Sequence, residues 1–256
     1  MSAVPRLRMF AGPNGSGKST IKSVLPPELL GVYINPDDIE REIRQRGHFD
    51  LRHFSVAATA DEVTAFLAAS PLLAKAGLLD AAHSLRCIDG VIEFGSVAVN
   101  SYFAAVLADL LRQKLLLQRR SFTFETVMSS PDKVSLLCRA QQLGYRTYLY
   151  YVATEDPIIN VSRVRARVRR GGHPVPEDKI HSRYAASLSL LWDAIRCAHR
   201  AYLFDNSNHA HLFVAEVTNG SLLELRTDAM PAWFKSAVWD RVTVSAATPP
   251  PAADGD

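Results

Sequence analysis

Residues 12–19, Gly-Pro-Asn-Gly-Ser-Gly-Lys-Ser, fit the pattern G-x-x-x-x-G-K-[ST] completely. No other feature of the chain limits its fold as much. The pattern has a mechanism only where a buried strand delivers the chain into the loop and a helix leaves it, because glycines then let backbone N–H groups converge on phosphate oxygens at a helix N-terminus. The flanks comply. Arg6–Ala11 is short and apolar, and a helix is expected from about Lys18 to Val24, stopped by Pro26-Pro27. In such a loop Gly12, Pro13, Asn14, Gly15, Ser16, Gly17, Lys18, Ser19 and Thr20 surround a nucleoside triphosphate. Lys18 reaches the β- and γ-phosphates, and the Ser19 hydroxyl coordinates Mg²⁺.

The rest of the chain reads as an α/β fold of the P-loop NTPase class, with a kinase-like parallel sheet flanked by helices. Gly31–Ile34 is a second strand, and Asn35 or Asp37 caps a helix running through Arg44. Residues of about 49–95 show helical stretches (57–68 and 78–86) with breaks at Ser70-Pro71, Gly77 and Asp89-Gly90, so a mainly helical insertion is expected. A long helix over 97–118 leads to a third strand, 121–125. Then follow a helix 131–143, a strand 146–152, a helix 160–170 broken at Gly171-Gly172, and a helix 177–198. A strand 201–204 precedes a small C-terminal hairpin, 212–217 and 222–226, turning at Asn219-Gly220. One kinase domain over 1–242 and a disordered tail over 243–256, with three consecutive prolines, complete the expectation.

Composition narrows the partners. With 48% hydrophobic residues the chain can bury a core without staples, and Cys87, Cys138 and Cys197, lacking any Cys-x-x-Cys spacing, read as reduced and mostly buried thiols. No uncharged run reaches the roughly 18 apolar residues of a membrane span, and no apolar run of signal-peptide length precedes the loop. A cytoplasmic location with no membrane partner is expected. The net charge of +3 is too slight to indicate nucleic acid, whereas five arginines within residues 163–170 point to an anionic ligand.

A guanine-reading Asn-Lys-x-Asp is missing from the sequence, and Phe122–Glu125 followed by Thr126 fits a small-molecule kinase better than a motor ATPase. Such a kinase needs a carboxylate to accept the acceptor's hydroxyl proton, polar groups for that acceptor, and arginines that neutralise the transferring phosphoryl group. Asp37, at the carboxyl edge of the second strand, is the candidate base, with a helix cap as its alternative. Asp38 reads as structural or as a partner of magnesium-bound water. Glu125, which ends the third strand, is a candidate contact for acceptor hydroxyls or for water on magnesium, with a cap of the next helix as its alternative, and Thr126 stands beside it. Arg163, Arg167 and Arg170 share one helix face, and Arg183 lies one helix later. Asn100, Ser101 and Tyr102 are further polar candidates, and His173 is a hinge hydrogen-bonder.

Five segments in order, 11–20, 34–39, 124–129, 171–176 and 204–207, together resemble the zeta toxin family of P-loop kinases. The Gly-Gly-His lid is similar to a chromosomal branch of that family. The resemblance implies ATP and Mg²⁺ as cofactors and phosphorylation of a sugar hydroxyl of a UDP-N-acetylamino sugar. It implies Lys18 on ATP phosphates, Asp37 as base, Glu125 and Thr126 on the acceptor, and Arg167 with Arg183, or Arg163 in reserve, on the γ-phosphoryl. An antitoxin protein is the implied partner. Two alternatives stand beside it: a housekeeping kinase of a nucleoside, cofactor or nucleic-acid 5′-hydroxyl, and an ATP-binding switch that transfers nothing.

Overall fold

A computed structural model describes residues 4–23 and 25–242 of the chain. Val24, at the end of the first expected helix, and the expected tail, 243–256, lie outside the described residues. In chain order, β1 (Arg6–Ala11) leads through the glycine loop into α1 (Lys18–Lys22), α2 (Pro27–Leu30), β2 (Val32–Ile34) and α3 (Pro36–Arg46). The insertion holds β3 (His48–Asp50), a 3-10 turn at Leu51–Phe54, α4 (Ala60–Ala68), α5 (Pro71–Lys75), α6 (Leu79–His83), β4 (Arg86–Ile88) and β5 (Val91–Glu93). Next come α7 (Ser101–Leu117), β6 (Phe122–Thr126), α8 (Pro131–Gln142), β7 (Arg146–Ala153), α9 (Pro157–Arg169), α10 (Glu177–Ser189) and α11 (Leu191–Arg196). The described chain ends with β8 (Arg200–Asp205), β9 (Leu212–Thr218), β10 (Leu222–Leu225), α12 (Ala232–Phe234) and a π-helical turn, Lys235–Trp239.

The main sheet has seven strands in the order β10-β9-β8-β7-β1-β6-β2. β2 runs parallel to β6 and β7 parallel to β8, while β9 and β10 form the expected hairpin and join antiparallel. The chain divides into two compact units, with the boundaries falling inside β1 and at the end of β6. One unit is the chain up to Leu7 with Pro26–Glu125; the other is Arg8–Leu25 with everything from Thr126 onward.

In the first unit, α7 buries Phe103, Leu107, Leu111 and Leu115 and starts at Ser101 rather than 97, because Asn100 accepts the N–H groups of Tyr102 and Phe103 as its cap. The expected insertion is mainly helical through α4, α5 and α6, and it also holds what was not expected: its ends pair as a three-stranded antiparallel sheet, β3-β5-β4. Asp89 and Gly90, expected to be a mere break, take φ values of 48° and 79° and form the two-residue turn of the β4–β5 hairpin.

In the second unit, buried Leu149, Tyr151, Val152 and Leu203 form the middle of the sheet, and α8 and α11 pack together. The expected single helix over 177–198 is two, α10 and α11, parted at Leu190. The reading of the cysteines as reduced, mostly buried thiols is also corrected. Cys138 on α8 and Cys197 after α11 form a disulfide with Cα atoms 4.7 Å apart, closing a separation of 59 residues that no local spacing announces. Cys87 is a free, half-buried thiol.

Candidate functional site

The phosphate loop belongs wholly to the second unit, and its glycines are required by close backbone approaches. Gly12, Gly15 and Gly17 have φ values of 144°, 77° and 97°, in the range that side chains avoid. A Cβ at Gly12 would lie 2.1 Å from the Val152 carbonyl, one at Gly15 2.6 Å from the Asn160 carbonyl, and one at Gly17 2.0 Å from Asn206 Nδ2. Two buried asparagines fasten the loop: Asn160 Nδ2 donates to the Asn14 carbonyl (2.6 Å) and Asn206 Nδ2 to the Ser16 carbonyl (2.8 Å). Lys18 curls back, its ammonium donating to the carbonyls of Gly12 (2.8 Å) and Pro13 (3.0 Å). Ser19 and Thr20 face solvent on the first turn of α1, which starts at Gly17 without a side-chain cap.

Three enclosed polar atoms in this unit have no partner: Asn14 Oδ1, Ser16 Oγ and Arg163 Nη1. A buried polar group left unmatched costs about 1–3 kcal/mol, so a loop that keeps such groups is built for a ligand that satisfies them. Ser16 Oγ and Arg163 Nη1 can donate and suit a polyphosphate, whereas the Asn14 amide oxygen only accepts and needs a donor. For Mg²⁺, which keeps several waters and takes one or two protein oxygens beside substrate phosphates, the exposed Ser19 hydroxyl suffices. No group of three or more His, Cys, Asp or Glu side chains able to hold a metal occurs among the described residues.

The arginine helix α9 starts at Asp156, whose carboxylate accepts the Ile158 N–H (2.7 Å), and its last turn is closed by Gly171 at φ 85°. Arg163 is half-buried, and its Nη2 reaches the carbonyls of Ser207 and Asn208 at 3.4 Å. Arg167 is exposed, and its Nη2 donates to the His173 carbonyl (3.1 Å), a contact that His173 makes through its backbone. Arg170 caps the helix, which ends the shared face at Arg167. Arg165, on another face, pairs with Glu177 at 2.6 Å, and Arg183 is exposed on α10.

The loop after β8 is a hub. Asp205 accepts the Ser207 N–H and hydroxyl, both at 2.9 Å, and the Trp233 indole N–H at 2.7 Å. The Ser207 hydroxyl in turn accepts the Glu155 N–H (2.7 Å). Trp233 is a contributor that sequence reasoning missed. At the start of this unit, the Thr126 hydroxyl accepts the Met128 N–H (3.0 Å), which fixes the turn after β6 and leaves its own proton to donate.

The acidic candidates lie in the first unit. Asn35, not Asp37, caps α3 by accepting the Asp37 N–H (3.1 Å), which leaves the exposed Asp37 carboxylate outside the capping role. Asp38 pairs with Arg41 on the same helix. Glu125 is 7% exposed and accepts a short hydrogen bond from the Tyr33 hydroxyl. Burial pushes the Tyr33 phenol far above its usual range, and the Glu125 charge adds to that, so Tyr33 stays a proton donor. Tyr33 was missed because a strand tyrosine reads as core. At the start of α7, Asn100 Oδ1 accepts the Tyr102 and Phe103 N–H groups as the helix cap, and Tyr102 is exposed.

Residues 95–218 match the model of the zeta toxin family, the family that the sequence motifs resemble. That stretch holds Glu125, Thr126, Arg163, Arg167 and Arg183, and it lies beyond the phosphate loop and Asp37. The chain is 23% identical over 175 residues to an uncharacterized protein of Haemophilus influenzae, a match covering 68% of this chain and 89% of that one. Among solved structures, it resembles a chain of the AvrRxo1-ORF1:AvrRxo1-ORF2 crystal structure with sulphate ions (TM-score 0.54, 15% identity). That match covers 100% of this chain and 67% of the other. A second crystal structure of that complex, with ATP, matches at TM-score 0.52 with the same identity and coverage. At such identity the likeness shows the fold alone, an α/β architecture.

Proposed function

For a chain whose residues 95–218 match the zeta toxin family, we propose an ATP- and Mg²⁺-dependent kinase that transfers the γ-phosphoryl group to a hydroxyl of a small acceptor. The observation that carries this reading is the phosphate loop, whose three glycines leave no room for a Cβ and whose enclosed atoms lack partners. Loop N–H groups and Lys18 would hold the triphosphate, with the Ser19 hydroxyl on the metal. When bound, the metal supplies charge neutralisation on the phosphate oxygens. Arg167 and Arg183, with Arg163, would neutralise charge on the transferring group. Asp37, exposed and free of the capping role, would accept the acceptor hydroxyl's proton. Glu125 would accept a hydrogen bond from another acceptor hydroxyl, and Thr126 would add a second contact.

The finer reading is a UDP-N-acetylamino sugar as acceptor and an antitoxin as protein partner, both drawn from the family resemblance. The test incubates the protein with Mg-ATP and a panel of nucleotide sugars, nucleosides and cell extract, and seeks by mass spectrometry an addition of about 80 Da, the mass of a phosphoryl group. Asp37→Ala should lower transfer about 10²- to 10⁴-fold with ATP binding retained, the span of general-base contributions. Undiminished turnover in that variant would remove Asp37 as base. A different acceptor keeps the kinase and replaces its biology; ATP binding with no acceptor at all moves the weight to the nucleotide-dependent switch.

A further inference from the structure

Asn160 sits in the first turn of α9 within an otherwise apolar run, Ile158-Ile-Asn-Val161, and is fully buried. Its side chain faces two ways. Nδ2 donates to the phosphate-loop carbonyl of Asn14 (2.6 Å), and Oδ1 accepts from the buried Thr154 hydroxyl. The Thr154 carbonyl accepts from the Tyr184 hydroxyl (2.6 Å) on α10. Burial, with the charges of Glu155, Asp156 and Asp205 adding, pushes that phenol up to about 12, so it remains a donor. The backbone agrees, since a Cβ at Gly15 would fall 3.1 Å from the Asn160 Cα. The start of α9 therefore rests directly on the loop.

Residues 160, 163 and 167 follow the i, i+3, i+7 spacing of one helix face, which aligns Asn160 with Arg163 and Arg167. On α10 Tyr184 is buried where Arg183, the residue before it, is exposed, so the phenol anchors the helix that carries Arg183. A continuous path of hydrogen bonds thus runs from the phosphate loop to both helices that carry the arginines. We propose that Asn160 is a positioning residue: it fixes the register of the arginine helix on the phosphate loop, so that loop and arginines bind a triphosphate as one coupled unit. This rests on the ATP-binding reading above. A merely structural Asn160 would affect folding stability and leave the two contributions to affinity independent.

The experiment is a double-mutant cycle on ATP affinity, read by calorimetry with Mg-ATP on the full chain, and it needs no acceptor. Asn160→Ala and Arg163→Ala should each weaken binding about 10-fold, the loss expected for one charge-assisted or network hydrogen bond. The double variant should then lose about 10-fold rather than the about 100-fold of independent sites, because a helix out of register has already withdrawn Arg163. Thr154→Ser, which keeps the hydroxyl, should bind like the wild type, while Thr154→Val should weaken binding. If Asn160→Ala does not fold, Tyr184→Phe with Arg183→Ala gives the same cycle from the other helix, with about 3-fold single losses. Additive losses in a wild type that binds ATP overturn the coupling and spare the functional reading; a wild type that binds no ATP overturns both.

Discussion

The phosphate loop and the Tyr33–Glu125 pair are both polar and enclosed, yet they are held in opposite ways. Around the loop, backbone meets backbone: the carbonyls of Val152 and Asn160 stand where Cβ atoms at Gly12 and Gly15 would be. Around Glu125, one side-chain hydrogen bond from Tyr33 does the holding. A site fixed by main-chain contact must spell out its glycines, so its sequence is recognisable. One fixed by a single side-chain pair can be rebuilt with other residues, and its sequence looks like ordinary strand.

The contrast can be broken in four ways, from the largest effect down. Gly12→Ala adds a left-handed-region penalty to a clash with a carbonyl that cannot swing away, and should cost about 4 kcal/mol in a denaturant melt. A loss below 1 kcal/mol would show the loop to be pliable after all. Reduction of Cys138–Cys197 should lower the stability of the loop's own unit by about 2–4 kcal/mol, seen as faster amide exchange in α8 and α11. The unit holding Tyr33 and Glu125 should not change, because its one cysteine, Cys87, is free.

Tyr33→Phe keeps the ring and strands a buried carboxylate, so a loss of about 1–2 kcal/mol is expected. An unchanged melt would mean that water replaces the phenol. The smallest effect is a pH dependence within the loop's unit. His199 Nδ1 accepts the Thr147 N–H (3.1 Å), and burial, with Arg146 adding, holds this imidazole below its usual 6.5. The unfolded chain therefore takes up the proton first, and the contribution is full above pH 6.5 and fades as pH falls below it. His199→Gln, which keeps an acceptor and cannot titrate, should flatten that slope; an equally steep curve would assign it to another group.

Much of this was legible before any coordinates. The loop, the strands expected at 146–152 and 201–204, the stop at Gly171-Gly172 and the turn at Asn219-Gly220 follow from periodicity and punctuation, which act over a few residues. The three-stranded sheet of the insertion did not, because strands of three residues are shorter than any period can register; only Asp89-Gly90 signalled its hairpin. Asn160 and the disulfide escaped for a different reason. Their partners lie 146 and 59 residues away, so nothing beside them in sequence explains them. Asn160 nonetheless left one trace, a lone amide among Ile and Val on a helix face that should be greasy.

The bond from Asn206 back to Ser16 spans 190 residues. On a ribosome the phosphate loop emerges well before the residue that clasps it. At roughly 5–20 residues per second, the loop waits about 10–40 s for its clasp during synthesis. Nascent chains stalled or truncated before Asn206 would carry the complete loop motif and still lack this side-chain grip on it, so the order of synthesis separates the making of the motif from its fastening.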